Sequence, residues 1–416
     1  MPSLPALPAP LRRWDIFCKV VDHFGDAGVA WRLARQLARE HDLEVTLWID
    51  QPSALAAMAP GLDPNRTMQW LAGVTVRCRH TCRASTAPAA VVIDTFGGGL
   101  PDDYVHAMAA LRTPPRWFVL EYLTAEAWVE GAHGRPSPHP SMGLERTFWF
   151  PGFTAATGGL LREHDLLLRR DAFLGDALAQ ATLWETLQLG APPPSALRVS
   201  LFCYPKAPVG MLLDQWVCGA RQVVCMVPAG TAETAITAWL GGARWAPGTP
   251  VHRGQLTLHA IPFLAQDRYD ELLWACNLNF VRGEDSFVRA QWAGKPLVWQ
   301  AYPQRDSAHQ VKLAAFMDRY LGPPGGATGR ASDLTKPSRA GVPGTKPDPQ
   351  DNAFVAIRGL WQAWNEVDAA SPVAEAWERW RQVEPAIGAH AKSWTNALVG
   401  VPQLGAGLVA AVMSKV

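Results

Sequence analysis

Short apolar runs alternating with helix-patterned segments are the feature that most restricts how this chain can fold. WDIFCKVV (14–21) reads as a buried strand, DHFGDAG (22–28) as a turn, and AWRLARQLAREH (30–41), with Trp31, Leu33 and Leu37 at helical spacing, as a helix. LEVTLWID (43–50), VTVRCR (74–79), AVVIDTFG (90–97) and RWFVLEYL (116–123) continue the strand series. After the proline-stiffened GAPPPSALR (190–198) a second series begins. Its strands are SLFCYP (200–205), RQVVCMVP (221–228), LTLHAIPFL (256–264), LNFVRGEDS (278–286, running into a loop) and KPLVWQAYP (295–303). Helical patterns over 208–219, 232–240, 267–277 and 287–294 separate them. Strands joined through helices imply parallel sheets with right-handed crossovers.

A chain of 416 residues exceeds one ordinary core. The pattern predicts a domain over 1–190, a second over 191–370, and C-terminal helices over 371–416 that return toward the first. Between them, GPPGGATGRASDLTKPSRAGVPGTKPDPQ (322–350) has a loop-like, disorder-prone composition. Ligands of open parallel sheets bind beyond the carboxyl ends of the strands, so the two domains are expected to open onto one cleft.

The net charge of +1 gives no reason to expect nucleic acid or an anionic membrane as partner. No apolar run reaches membrane-spanning length, and MPSLPALPAPLRRWD is a poor signal peptide because its arginines follow the apolar residues. Seven cysteines without a C-x-x-C suit a reducing cytosol, so a cytoplasmic location is expected. Cys78-Arg-His80-Thr-Cys82 has no second ligand pair at zinc-like spacing, and no metal is expected. The 19 tryptophans are expected to be mainly core anchors.

Three loops at strand ends carry polar residues suited to chemistry. In DHFGDAG, Asp22 and Asp26 either converge on one ligand group or shape the turn and cap the helix behind it. In Asp94-Thr95-Phe96-Gly97-Gly98-Gly99 the glycines permit close backbone approach, to a ligand or within a tight turn. Glu121 and Tyr122 end another strand. In RGEDSFVRAQWAGKP (282–296), Asp285 or Ser286 can cap the helix, and the same turn with Gly283 in front can receive a diphosphate. Two acids beside phosphate are unfavourable, which points to a ligand combining phosphate with hydroxyl groups or to another cation nearby.

WDIFCKVVDHFGDAGVAWRLARQLA, FWFPGFTAATGGLLRE (148–163), SLFCYP and NFVRGEDSFVRAQWAGKPLVW resemble the bacterial elongation factor P arginine rhamnosyltransferase family. The resemblance runs from about residue 14 to 305. It implies an α/β, GT-B type fold with two Rossmann-like domains facing across a cleft. The implied activity is inverting, metal-independent transfer of rhamnose from dTDP-β-L-rhamnose to an arginine of elongation factor P, with no cofactor beyond that donor. By similarity Phe202, Tyr204, Phe263, Gln266, Arg282, Gly283, Asp285 and Ser286 belong to the donor site. Asp26 is the expected base, Asp22 its support, and Glu284 helps to hold the acceptor guanidinium. The rival expectations are a non-catalytic sugar-nucleotide sensor, an elongation factor P binding protein, or a GT-B transferase with another sugar or a small-molecule acceptor.

Overall fold

The computed structural model describes residues 7–304, 306–322, 349–365 and 372–414. In chain order the first elements are β1 (Arg13–Cys18), α1 (Gly25–His41), β2 (Glu44–Ile49), α2 (Pro52–Ala56), β3 (Met68–Leu71), β4 (Val74–Cys78), β5 (Val91–Thr95), α3 (Asp102–Ala109), β6 (Arg116–Leu120), α4 (Val129–Ala132), β7 (Pro136–Pro138) and β8 (Glu145–Trp149). Next come α5 (Leu166–Gly175), α6 (Ala177–Thr186), β9 (Leu197–Leu201), α7 (Val209–Val217), β10 (Val223–Pro228), α8 (Glu233–Trp239), β11 (Val251–Arg253), β12 (Leu256–Ile261), α9 (Gln266–Ala275), β13 (Leu278–Arg282), α10 (Asp285–Trp292) and β14 (Leu297–Gln300). Helices α11 (Ala308–Leu321), α12 (Pro349–Trp364), α13 (Val373–Gln382), α14 (Glu384–Leu398) and α15 (Leu404–Met413) complete the described chain.

The chain divides into two compact units, Met1–Leu166 with Val399–Val416, and Leu167–Leu398. The boundaries differ from the composition-based reading. Segment 167–190 joins the second unit because its side chains pack there: Phe173 lies against Trp274, and the Arg170 guanidinium donates to the Trp292 carbonyl at 2.8 Å. Residues 371–398 also stay with the second unit, so only the segment from Val399 returns to the first. The expected disorder of 322–350 concerns a stretch lying almost wholly outside the described residues.

Among the described residues the first unit holds an eight-stranded sheet in the order β3-β4-β2-β1-β5-β6-β8-β7, parallel except for its two edge pairs. The chain leaves β1 toward β2 and β4, then resumes with β5 on the other side of β1. The second unit repeats the device in the order β11-β12-β10-β9-β13-β14, with β9 between β10 and β13. Such a reversal splays the loops apart at the carboxyl ends of the two central strands and leaves a crevice there. Strands buried on both faces must be continuously apolar, which is why the central runs were readable in the sequence. The short edge strands β3, β7 and β11 carry no such run and were not anticipated, nor was β8, an interior strand whose residues are mostly only partly buried.

The cores are aromatic. Trp14, Trp31, Trp48, Trp216, Trp292, Trp361, Trp364 and Trp380 are buried essentially completely, as expected of large anchors. In the first unit Phe17 stacks on Trp48 at 5.6 Å, within a cluster that includes Tyr104, Met108, Trp117 and Cys82. Cys82 is thus a core residue, and the Cys78 thiol faces the Arg66 carbonyl at 3.6 Å.

Two contacts anchor the segments that frame the sites. The returning C-terminal segment docks through a pair of backbone bonds, Leu160 N–H to the Pro402 carbonyl and Leu404 N–H to the Leu160 carbonyl, both 2.9 Å. Gly159, at φ +76°, makes this possible, since a Cβ there would lie 2.0 Å from the Pro402 oxygen. In the second unit α9 and α10 are joined by two rungs one helical turn apart. Gln266 Nε2 donates to Asp285 Oδ2 at 3.1 Å, and four residues on in each helix Arg289 holds Asp270 through two bonds of 2.9 and 2.6 Å. Asp270 and Arg289 are each 1% exposed. Removing one member of such a pair strands a charge in the core. Arg289→Met is therefore expected to cost about 3–5 kcal/mol in chemical denaturation of the second unit, much of it regained in Arg289→Met/Asp270→Leu. An unchanged denaturation midpoint for the single variant would show that the pair does not hold the two helices.

Candidate functional site

Both groups of residues singled out in the sequence lie at carboxyl ends of central strands, and each group assembles within its own unit. In the first unit the chain leaves β1, turns through 19–24 and enters α1. The helix starts at Gly25, earlier than its apolar spacing suggested, so Asp26 stands in its first turn. Asp26 does not cap that helix; the N-cap position is Phe24, which makes no side-chain cap bond. Instead Asp26 Oδ2 accepts the N–H groups of Val21 and Asp22 at 2.7 and 2.9 Å, folding the turn back over the helix start. The Tyr122 hydroxyl, arriving from the end of β6, donates to the same carboxylate. Asp22 is 8% exposed and packs against Gly25, where any Cβ would lie 2.5 Å from its Oδ2. The glycine of DHFGDAG therefore makes room for the first acid beside the second.

Burial pushes the Asp26 carboxyl up to about 6 against its N–H donors, and the nearby Asp22 charge adds to the rise. The result is an oriented carboxylate that accepts a proton readily near neutrality, the property wanted in a general base.

Asp94, at the end of β5, lies one strand away. It is 4% exposed and likewise pushed up to about 6, chiefly by burial, with Arg79 and the Gly99 N–H opposing the rise and Glu121 adding to it. The glycine loop behind it is a tight turn. Phe96 and Gly97 both stand at φ +60°, and Gly98 approaches Lys19 so closely that a Cβ would meet that side chain at 2.8 Å. A non-glycine residue in the left-handed region is costly and is held here by packing, the Phe96 ring stacking on Tyr122 at 4.4 Å. That stack also steadies the tyrosine that reaches Asp26.

In the second unit β13 ends at Arg282, and the chain reverses through Gly283 at φ +61° into α10. The Trp299 indole N–H fixes this turn by donating to the Gly283 carbonyl at 2.9 Å. Neither acid-rich neighbour caps the helix. The N-cap is Glu284, without a side-chain cap bond. Ser286 Oγ donates back to the Arg282 carbonyl and accepts the Arg282 N–H at 3.2 Å, while Asp285 accepts Gln266. The start of α10 thus meets the crevice with its positive dipole end and no side-chain cap across it, a ready anion site.

The remaining residues of the group gather around Arg282. Its guanidinium lies 4.7 Å from the centre of the Phe202 ring and 4.5 Å from that of Tyr204, both just beyond β9. Phe263 meets Phe202 edge-on at 6.3 Å. Aromatic faces support the cation through their negative ring faces. Phe202, Tyr204, Phe263, Gln266, Arg282, Gly283, Asp285 and Ser286 therefore form one cluster in the second unit. Glu284 belongs to the same loop, and Asp22 and Asp26 form a separate cluster in the first unit. The sequence reading did not anticipate Trp299, Asp270 or Arg289, which fix the loop from behind. The i,i+4 repeats Gln266/Asp270 and Asp285/Arg289 were its only sequence trace. Among the described residues no group of three or more His, Cys, Asp or Glu has the arrangement of a metal site. No helix of the described residues is long and apolar enough to cross a membrane.

Comparison with known proteins fits this geometry. The family model described as elongation factor P (EF-P) rhamnosyltransferase EarP matches residues 14–334. A Pseudomonas putida protein named protein-arginine rhamnosyltransferase is 44% identical over 397 residues, covering 95% of this chain and 97% of the relative. A Pseudomonas aeruginosa protein of the same name is 40% identical over 396 residues, covering 95% and 97%. A solved structure described as the structural basis for EarP-mediated arginine glycosylation of translation elongation factor EF-P aligns with a TM-score of 0.63 and 32% identity, over 97% of this chain and 99% of that one. With two Rossmann-ordered sheets, each carrying its polar cluster at the switch point, the chain is a GT-B glycosyltransferase and belongs to the elongation factor P rhamnosyltransferase family.

Proposed function

We propose that this enzyme transfers rhamnose, with inversion and without a metal ion, from dTDP-β-L-rhamnose to an arginine side chain of elongation factor P in the cytoplasm. The names of its relatives support the acceptor. The observation that carries the chemistry is the Asp26 carboxylate, buried, oriented by two backbone N–H groups and Tyr122, and raised to about 6.

The reaction needs a nitrogen nucleophile on one face of the anomeric carbon and a leaving diphosphate on the other. A guanidinium is a poor nucleophile because its pKa lies above about 12. Asp22 and Asp26 offer it charge-assisted bonds that orient one nitrogen. As the C–N bond forms, the C–O bond to the diphosphate breaks and its electron pair leaves with dTDP. The proton released by the nitrogen passes to Asp26. Glu284 is assigned to the acceptor guanidinium as well. On the donor side the α10 N-terminus and Arg282 receive the charge that develops on the diphosphate, the role a metal plays in other transferases. Phe202, Tyr204 and Phe263 supply apolar surface for the base and sugar, and Gln266, Asp285 and Ser286 supply polar partners.

Purified enzyme with dTDP-rhamnose and elongation factor P is expected to raise the intact mass of the factor by one deoxyhexose. Donor binding without any mass gain would make the protein a sensor instead. Asp26→Asn is expected to lower kcat by at least about a hundredfold with donor affinity retained; an active variant removes the base. Because the carboxylate must be ionised to act, kcat/KM is expected to fall as pH drops through about 6. In Tyr122→Phe, which loses a donor that stabilises the ionised form, that limb moves to higher pH; an unmoved limb would detach Tyr122 from the base. Arg282→Gln is expected to weaken dTDP-rhamnose binding at least about tenfold in a titration, and an unchanged curve would overturn the donor assignment.

A further inference from the structure

The first unit contains a cavity of about 560 Å³ that the proposed reaction does not use. It opens beside the carboxyl ends of β5, β6 and β8, and Asp94, Glu121, Asp102, Trp117, Phe148 and Arg146 are among the residues that line it. Its volume is in the range of pockets that take a side chain or small ligand. The informative group is Asp94. The residue is 4% exposed, and its Oδ1 is buried with no hydrogen-bond partner. A buried carboxylate oxygen only accepts, and leaving it unpaired is costly.

The cations nearby do not complete it. Arg79 donates to the Gly99 carbonyl, and the Arg146 guanidinium lies over Trp117 and Phe148 at 5.6 and 5.7 Å. Glu121 adds negative charge against Asp94, and burial with that charge keeps the Asp94 carboxyl raised. A cavity with a buried unpaired carboxylate, further carboxylates on its wall and aromatic surface matches a cationic donor such as a guanidinium or ammonium group.

Its position says where such a group comes from. Asp94 sits on β5, in register with Phe17 of β1, the strand that leads to Asp22 and Asp26. Glu121 and Tyr122 are chain neighbours that serve different places. Tyr122 bonds Asp26, while the Glu121 charge acts on Asp94. The cavity and the Asp26 turn thus lie at the ends of neighbouring strands along one edge of the same sheet. We propose that the Asp94 cavity binds a second basic side chain of the acceptor polypeptide, so that the acceptor is recognised by two cations of which only one is modified. This rests on the proposed function, and it adds a specificity site to it.

The test uses the whole enzyme with elongation factor P. Asp94→Asn is isosteric and keeps an oxygen for the Gly99 N–H. It is expected to raise the acceptor KM about tenfold or more, with kcat and the donor KM retained. Exchanging each arginine and lysine of the acceptor other than the target for glutamine identifies the partner. One exchange raises KM on the wild-type enzyme and adds nothing on Asp94→Asn. An unchanged KM, or the absence of any coupled acceptor residue, overturns the inference while leaving the transfer reaction intact. A wild-type enzyme that adds no deoxyhexose to the factor would instead overturn the proposed function. The cavity is then tested alone by titrating N-acetyl-arginine amide into Asp26→Asn protein. Saturable shifts of the His106 and His139 ring signals, both residues lining the cavity, that vanish in Asp26→Asn/Asp94→Asn support it, and unmoved signals overturn it.

Discussion

A parallel sheet covered by helices on both faces leaves its carboxyl edge as the place where polar side chains can gather without crossing the core. The rest of the molecule follows from that constraint. Asp22 and Asp26 follow β1, Asp94 ends β5, Glu121 and Tyr122 follow β6, Phe202 and Tyr204 follow β9, and Arg282 to Ser286 close β13. In each unit the order of strands reverses at the strand that starts the series, so its loop and that of the neighbour across the reversal spread apart. Polar residues held there are near enough to the interior to be desolvated and near enough to the opening to meet a ligand.

The two units hold their charged groups in different ways. In the first, desolvation raises the carboxyls of Asp26 and Asp94 to about 6. Asp26 is partly compensated by two N–H groups and a phenol, which orient it and keep it ionised near neutrality. Asp94 has one loop N–H and an oxygen still without a donor. In the second unit the charged group beside the crevice is the half-buried Arg282. Arg282 lies over two aromatic faces, those of Phe202 and Tyr204. An acidic cluster suited to a cation and a basic, dipolar cluster suited to a diphosphate are the complementary parts that glycosyl transfer to a guanidinium requires.

Much of this was legible because its physical basis is local. Apolar runs announce strands that face the core, and the ten readable runs correspond to β1, β2, β4, β5 and β6 of the first sheet and β9, β10, β12, β13 and β14 of the second. Glycine beside an acid announced the turns at Gly25 and Gly283. What was illegible depends on contacts between distant segments. The strand Pro136–Pro138 pairs with β8 at the sheet edge without any apolar run of its own. The boundary at Leu166 ignores the proline-rich 190–198 stretch because Arg170 and Phe173 find their partners beyond it. That Asp22 and Asp26 share one turn was legible, but the way Asp26 is held was not. Two acids four residues apart suggest a cap, and only the fold reveals that the second acid bonds the backbone behind it.

Asp285, an acid in the first turn of α10, finds its partner through the pairing of α9 with α10. The Asp270–Arg289 ion pair fixes the two helices in register, and one turn earlier that register brings Gln266 to Asp285. The amide N–H takes the carboxylate, so the Asp285 charge is directed to the α9 side rather than across the helix start. Ser286 is tied to the strand end by its bonds with Arg282. With both first-turn side chains so engaged, no side chain caps α10, and the backbone dipole is left to act on a ligand. A buried ion pair one helical turn further on thus sets the register that brings the Asp285 carboxylate to the Gln266 amide.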